Sequence, residues 1–232
     1  MFQTVAAAGA MRIASAYDLL AALKQAGYLK EERDAWWWPR SGSEEVVVGA
    51  LLTQQTKWEN VEASLANLHE AGLLSLDALA HCDTQRLKSL IRPSGFYNTK
   101  VPRLQALARH ILEDFGGFER FQTDVTREWL LAQKGIGKES ADSILCYACY
   151  RDAMVVDAYT ARLLHALDFT MEGYDEIQAW FVEGLDAAWG RVEALYGTEV
   201  SRAYVYARLH GKIVEFAKEH IRGKRVDTAI FG

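Results

Sequence analysis

Apolar residues recur along most of the chain at the three-to-four-residue spacing of amphipathic helices, and no segment sustains the alternation of a half-buried strand. The first helix is expected from Ser15 to Gly27, with Ser15 as N-cap and Tyr17, Leu19, Leu20 and Leu23 on its inward stripe. Ser43 opens an unbroken apolar run, Val46 to Leu52, which ends at Thr53-Gln54-Gln55-Thr56. The next helix, Lys57 to Ala71, carries Val61, Leu65 and Leu68. Short helices are expected over Leu76–Ala80 and Thr84–Ile91, followed by the breaker Arg92-Pro93-Ser94-Gly95. Asn98 opens a longer helix, Lys100–Phe115, whose first turn tolerates Pro102. Thr126 to Gln133 leads into Gly135-Ile136-Gly137 and a helix from Lys138. Beyond Asp157 the pattern predicts helices near Ala158–Leu167, Tyr174–Gly184 and Ala187–Tyr196, and a long one from Ser201 to His220. The chain reads as an all-α protein.

Composition narrows this picture only in part. With 232 residues, 50% of them hydrophobic and only three prolines, the chain suits a helical globule of one large domain or two small ones. A formal net charge of −5 argues against a generic nucleic-acid binder, whose domain is usually basic. The charge is uneven, however. Arg86, Lys88, Arg92, Lys100, Arg103 and Arg109 form one basic cluster, and Lys212, Lys218, Arg222, Lys224 and Arg225 another. Each is read either as a face that docks DNA or as a solvated helix face. Cys82, Cys146 and Cys149 give no disulfide framework and point to a reducing compartment, the cytoplasm. Cys146 and Cys149 fall inside the helix after the glycine turn, with no second Cys or His pair nearby, and read as packing residues; no metal is expected. No stretch is long and apolar enough to span a membrane. Met1 to Ala10 lacks the basic start of a signal peptide and reads as a tail, with Met11 an alternative start.

Three places carry candidate chemistry. The glycines of Gly135-Ile136-Gly137 permit positive φ and close approach, and the amides leading into the Lys138 helix favour an anion such as phosphate. Gly-x-Gly alone reads first as an ordinary tight turn between two packed helices. Asp157 follows the apolar Val155-Val156 at the start of the next helix, where it is either an N-cap or a reactive carboxylate. Trp36-Trp37-Trp38-Pro39 places three large rings about 100° apart if helical, so they cannot share one core: either at least one lines a cleft, or the stretch is a loop clamped across a hydrophobic surface.

Together these features resemble a family. Leu-x-x-x-Gly135-Ile136-Gly137, then Ala141, then Asp157 in a Val-Asp-x-x-x-x-Arg162 setting resemble the endonuclease III (helix-hairpin-helix) superfamily of DNA glycosylases. Within it the chain most resembles the bacterial 3-methyladenine DNA glycosylases of the Mag III type. That closer likeness rests on Trp36-Trp37-Trp38-Pro39, Leu52 to Lys57, Arg92 to Asn98, Lys134 to Asp142 and His210 to Phe216.

The resemblance implies a two-lobed fold with a cleft between the lobes: residues 39–150 as a helical domain ending in the hairpin, and residues 1–38 plus 151–232 as the second domain. It implies Asp157 as the catalytic carboxylate at the mouth of the cleft, and Gly135, Ile136, Gly137 and Lys138 on the DNA backbone. Bifunctional members carry a nucleophilic Lys two positions after the second glycine; Glu139 stands there, which implies a monofunctional enzyme without lyase activity. Trp37, Trp38 and Pro39 would wall the base pocket from one side and Trp58, where a relative carries Phe, from the other, with Lys212 and Lys218 nearby. Lys212 is read as a deprotonated or carbamylated amine, or as a lysine that reaches solvent. Gln54 or Gln55 fills the gap left by an extruded base, or simply caps the turn.

Many members bind an iron–sulfur cluster through four C-terminal cysteines; none follows Cys149 here, so no cluster and no other cofactor is expected. The expected protein is a monomer of the cytoplasm and nucleoid that hydrolyses 3-methyladenine, and other labile alkylpurines, from double-stranded DNA. The rivals are an endonuclease III or adenine-mismatch type glycosylase, a non-catalytic hairpin DNA binder, and a helical protein–protein scaffold.

Overall fold

The computed structural model describes residues 13–29 and 34–231. Met1 to Ala10, read as a tail, and Met11 lie outside the described residues. Contacts divide the chain into two compact units: the terminal unit takes Met1–Glu32 and Met154–Gly232, and the central unit takes Arg33–Ala153.

The terminal unit begins with α1 (Ala16–Gln25), which Ser15 caps by accepting the Asp18 amide at 3.2 Å. The chain then enters the central unit. Its first helix, α2 (Glu44–Leu52), is buried at every residue from Val46 to Leu52. A helix apolar all round has no solvent face, and the rest of the unit is built about it. It packs against α3 (Trp58–Glu70) and the long α6 (Tyr97–Phe115), and α4 (Leu76–His81) and α5 (Thr84–Leu90) pack in turn on α6. Glu44 ties α2 to α4 by accepting the Leu76 amide at 3.0 Å. A helix the pattern did not predict follows, α7 (Phe118–Asp124). Its Phe121 packs with Phe115 and Trp129, at centroid distances of 5.4 and 5.9 Å.

The hairpin helices close the central unit: α8 (Arg127–Ala132) and α9 (Lys138–Ser143), continued by a π turn over Ile144–Ala148. Arg127 on α8 donates to both oxygens of Asp142 on α9, at 2.7 and 3.0 Å, with Asp142 1% exposed. This bidentate pair fixes the two helices against each other. Cys146 is fully buried in the π turn and Cys149 follows it; burial pushes both thiols up, Cys149 to about 12, so neither is a ready thiolate. Their reading as packing residues fits that environment.

The chain returns to the terminal unit with α10 (Ala158–Ala166), α11 (Gly173–Asp186), α12 (Trp189–Tyr196) and α13 (Arg202–His220). Leu19, Leu20 and Leu23 of α1 meet Leu163, Phe181, Leu209, Ile213 and Phe216 in one core, with α13 packed on both α1 and α10. A two-residue hairpin, β1 (Ile221–Arg222) with β2 (Arg225–Val226), is the only sheet among the described residues. The all-α class is thus what is found.

Candidate active site

In the terminal unit Asp157 caps α10. Its Oδ1 accepts the Thr160 amide and the Thr160 hydroxyl, both at 2.7 Å. Its Oδ2 stands 3.6 Å from Nε2 of His210 on α13, an electrostatic contact longer than a hydrogen bond. Burial pushes the carboxyl up, but the His210 ring and the two Thr160 donors outweigh it and hold the group below its ordinary 3.8. Asp157 is therefore ionised and oriented, with its side chain 14% exposed. His210 belonged to a stretch that carried the resemblance, but nothing in its spacing announced a partner for Asp157. Thr160, three residues past an Asp N-cap, is the one neighbour a capping rule could have supplied.

Lys212 lies two residues beyond His210 and is 3% exposed, with Nζ donating to the Tyr28 carbonyl at 3.0 Å. It does not reach solvent. Lys218, in the last turn of α13, does, and the structure separates these two lysines by environment.

In the central unit Trp37 and Trp58 both pack on Trp38, and Tyr147 joins them. Trp38 is 7% exposed and meets Trp58 edge-on at 5.4 Å. Tyr147, wholly buried, lies 5.2 Å from Trp38 and 5.8 Å from Trp37. Trp37 is partly exposed and left-handed (φ +77°), and Pro39 is half-buried. Trp36 turns instead to Tyr150, at 4.5 Å. The Tyr147 carbonyl accepts the Gly42 amide at 2.7 Å, and Gln122 Nε2 donates to Ala148 at 2.7 Å and Gly42 at 3.1 Å. So the π turn, invisible in the sequence, fastens the tryptophan loop to the hairpin helix.

At the hairpin, Ile136 is buried as a plug between exposed Gly137 and Lys138 and the tighter Gly135 (φ +90°). Gln54 Nε2 donates to the Gly135 carbonyl at 2.9 Å and to Ser140 Oγ at 3.0 Å, which makes it a brace of the hairpin. Gln55 is exposed and left-handed (φ +55°). Arg103 passes so close to Gly135 that a Cβ there would stand 2.4 Å from its Cδ. Glu139 is exposed in the first turn of α9. Lys100, counted in a basic cluster from the sequence, is 2% exposed and so leaves that face; Arg86, Arg92 and Arg109 remain exposed. Phe96, part of the Arg92 to Asn98 stretch but given no role by the sequence, is 61% exposed with φ +48°. Among the described residues no three His, Cys, Asp or Glu side chains converge as a metal site. Among the same residues no helix is long and apolar enough to cross a membrane.

A glycine hairpin braced by a bidentate ion pair, followed by an ionised aspartate at a helix start, defines a class. The model of the HhH-GPD superfamily of base excision DNA repair proteins matches residues 48–185, and the chain belongs to that superfamily. It is 40% identical over 195 residues to a protein of Methanocaldococcus jannaschii provisionally assigned as a DNA repair glycosylase, covering 81% of this chain and 82% of that one. The structure of H. pylori 3-methyladenine DNA glycosylase MagIII bound to 1,N6-ethenoadenine matches with a TM-score of 0.86 at 47% identity, covering 90% of this chain and 99% of that one. A non-covalent endonuclease III–DNA complex, at a TM-score of 0.68 and 16% identity, covers 90% of this chain and 88% of that one and shares the fold. The resemblance to the endonuclease III superfamily, and within it to the Mag III type, is borne out.

Proposed function

We propose that this DNA glycosylase hydrolyses the N-glycosidic bond of 3-methyladenine, and of similarly labile alkylpurines, in double-stranded DNA, as a monofunctional enzyme. The observation that carries the reading is Asp157, held ionised and aimed by Thr160 and His210 at a helix start. Methylation at N3 makes adenine cationic and weakens its bond to the sugar. The bond breaks with its electron pair passing to the base, which leaves neutral. The positive charge that develops on deoxyribose is stabilised by the Asp157 carboxylate. Water adds to C1′, and its proton passes through Asp157 to solvent.

The base itself must leave the stack. Its cationic ring suits the faces of Trp37 and Trp58, with Pro39 beside them and the buried Trp38 packed against both rings, since tryptophan attracts cations best among the aromatics. The Gly135-Ile136-Gly137 turn with Lys138 holds the DNA backbone, and Arg103 adds a guanidinium beside Gly135. Glu139 in the lyase-lysine position leaves no amine there to attack the sugar. Lys212 stays in this proposal as the site of a carbamate; a carbamate resonance under isotopically labelled bicarbonate, lost in Lys212→Ala, tests it.

The deciding experiment is release of free bases from methylated duplex DNA by wild type and Asp157→Asn. The reading expects 3-methyladenine from wild type, abasic sites left uncut, and none released by the variant. Strand nicking would transfer the protein to the endonuclease III type, and tight DNA binding without release would make it a non-catalytic hairpin module.

A further inference from the structure

Asp157 is delivered by a buried segment that belongs to no helix or strand. Met154, Val155 and Val156 are 1%, 1% and 3% exposed, and α10 begins only at Ala158. Buried backbone groups outside a ladder need partners as much as those inside one. Side chains of α11 supply two of them here. Gln178 Nε2 donates to the Met154 carbonyl at 2.7 Å, and the Val156 amide donates to the Tyr174 hydroxyl at 3.4 Å.

Tyr174 and Gln178 stand four apart and so share one face of α11, a helix that buries Ile177 and Phe181 in the core. Met154 and Val156 stand two apart, the spacing at which an extended chain turns its groups to one side. Gln178 makes the stronger tie, because 3.4 Å is long for an amide donor. Asp157 is the joint between this segment and α10, itself extended at φ −115° and ψ −179°. Downstream of the joint, Thr160 holds Oδ1, and the Asp157 carbonyl accepts the Ala161 amide at 3.1 Å. Those ties are local to the start of α10. Oδ2 must also meet His210, on α13. Its direction therefore depends on the segment upstream as well as on the cap.

We propose that Gln178 is a positioning residue for Asp157, with Tyr174 as its weaker partner. The edge they form on α11 fixes the backbone ahead of the carboxylate, and with it the direction of Oδ2. The proposal rests on the reading of Asp157 as the group that stabilises charge on deoxyribose. Such a group must be held within about 0.5 Å of its productive place by neighbours that are themselves fixed. Packing alone would need no amide at Gln178. An apolar side chain of the same length would fill the space, yet leave the Met154 carbonyl without this donor and the segment freer to turn.

The test is single-turnover release of 3-methyladenine from methylated duplex DNA by the full chain. Gln178→Met lowers the rate at saturating enzyme on the order of tenfold or more, while the enzyme concentration for half-maximal rate stays within about twofold of wild type. Tyr174→Phe shows a smaller loss of the same kind. Gln178→Lys returns a donor to the Met154 carbonyl and recovers most of the rate. A second measurement needs no activity. In the free Gln178→Met protein the Val155 and Val156 amides exchange about tenfold faster and the His210 ring resonances shift, while the amides of α12 hold their wild-type rates. A Gln178→Met rate within about twofold of wild type overturns the proposal, as does a Gln178→Lys rate no better than that of Gln178→Met. So does exchange that rises evenly through the terminal unit, which would make Gln178 an ordinary packing residue. Where Gln178→Met does not fold, Tyr174→Phe, which removes one oxygen, carries the same comparison, and an unchanged rate there overturns the proposal. If wild type frees no base, the glycosylase reading fails, and the exchange and His210 resonances decide the positioning by themselves.

Discussion

Both hydrogen bonds that Thr160 gives to Asp157 land on the same oxygen, Oδ1, while Oδ2 faces the His210 ring at 3.6 Å. The helix cap and the candidate catalyst are thus one carboxylate, and the two roles can be separated by substitution. Asparagine caps helices about as well as aspartate, so Asp157→Asn is expected to change stability by no more than about 1 kcal/mol near neutral pH. Base release from methylated duplex falls on the order of a hundredfold or more, because the charge is gone. Thermal melting and single-turnover release on the same samples check both. A loss of stability that matched the loss of rate would reduce Asp157 to a cap.

The same carboxyl makes a pH prediction. Its folded value lies below the ordinary 3.8, so the folded state favours the ionised form. That stabilisation is present above the unfolded value and disappears as pH falls through the folded one. The stability advantage of wild type over Asp157→Asn should therefore be flat near neutrality and shrink once pH drops below 3.8. Urea titrations of the pair at descending pH measure it; an advantage that grew with acid would reverse the sign of the shift.

Adjacent tryptophans should behave differently. Trp38, 7% exposed between Gly49, Trp58 and Tyr147, fills the core of its unit, and Trp38→Ala should cost roughly 3–5 kcal/mol. Trp37 is partly exposed, and Trp37→Ala should cost much less stability while weakening release of the cationic base. Melting curves and base release on the two variants decide this. Equal loss of stability would leave Trp37 as packing and remove it from the proposed pocket.

The two glutamines divide in the same manner. Gln54 braces the hairpin through Gly135 and Ser140, so Gln54→Ala should lower stability by about 1–2 kcal/mol, leaving the Gly135 carbonyl and Ser140 hydroxyl without that donor. Gln55→Ala touches an exposed side chain and should leave stability within about 0.5 kcal/mol while weakening duplex binding. Melting and fluorescence anisotropy on the two variants check this. Alanine effects in the opposite order would put Gln54 in the duplex.

The sequence and the structure part company at identifiable places. Helices with a regular apolar stripe, such as α1 and α13, and caps such as Ser15 were legible because spacing and capping chemistry are local. Phe118–Asp124 was not, since a seven-residue helix whose one buried residue is Phe121 is too short to show a period of its own. The π turn at Tyr147 was hidden because its extra residue leaves the apolar run unbroken. Lys100 read as surface charge because no local signal tells a lysine that its two acceptors will come from Leu52 and Ser94. His210 beside Asp157 is the same kind of omission. Asp157 itself, the hairpin and the tryptophans were legible because rare residues at fixed spacing carry them; their partners came from packing between elements far apart in the chain.

The hairpin glycines give the last contrast. Gly135 sits at φ +90° with Arg103 against it, and a Cβ would stand 2.4 Å from Arg103 Cδ and 2.6 Å from its Nε. Gly135→Ala therefore meets both a left-handed backbone, at about 1–2 kcal/mol, and a displaced guanidinium. Gly137, at φ −97°, has open space around its missing Cβ and tolerates alanine in the free protein, with loss of a favourable N-cap costing under about 1 kcal/mol. If a phosphate closes on those amides, the Gly137 methyl stands in its way. Gly137→Ala should then melt nearly as wild type yet bind duplex DNA more weakly, whereas Gly135→Ala loses both stability and binding. Melting curves and anisotropy titrations at two salt concentrations separate the two. A Gly137→Ala chain that bound DNA as tightly as wild type would mean that the backbone is held elsewhere than at this turn.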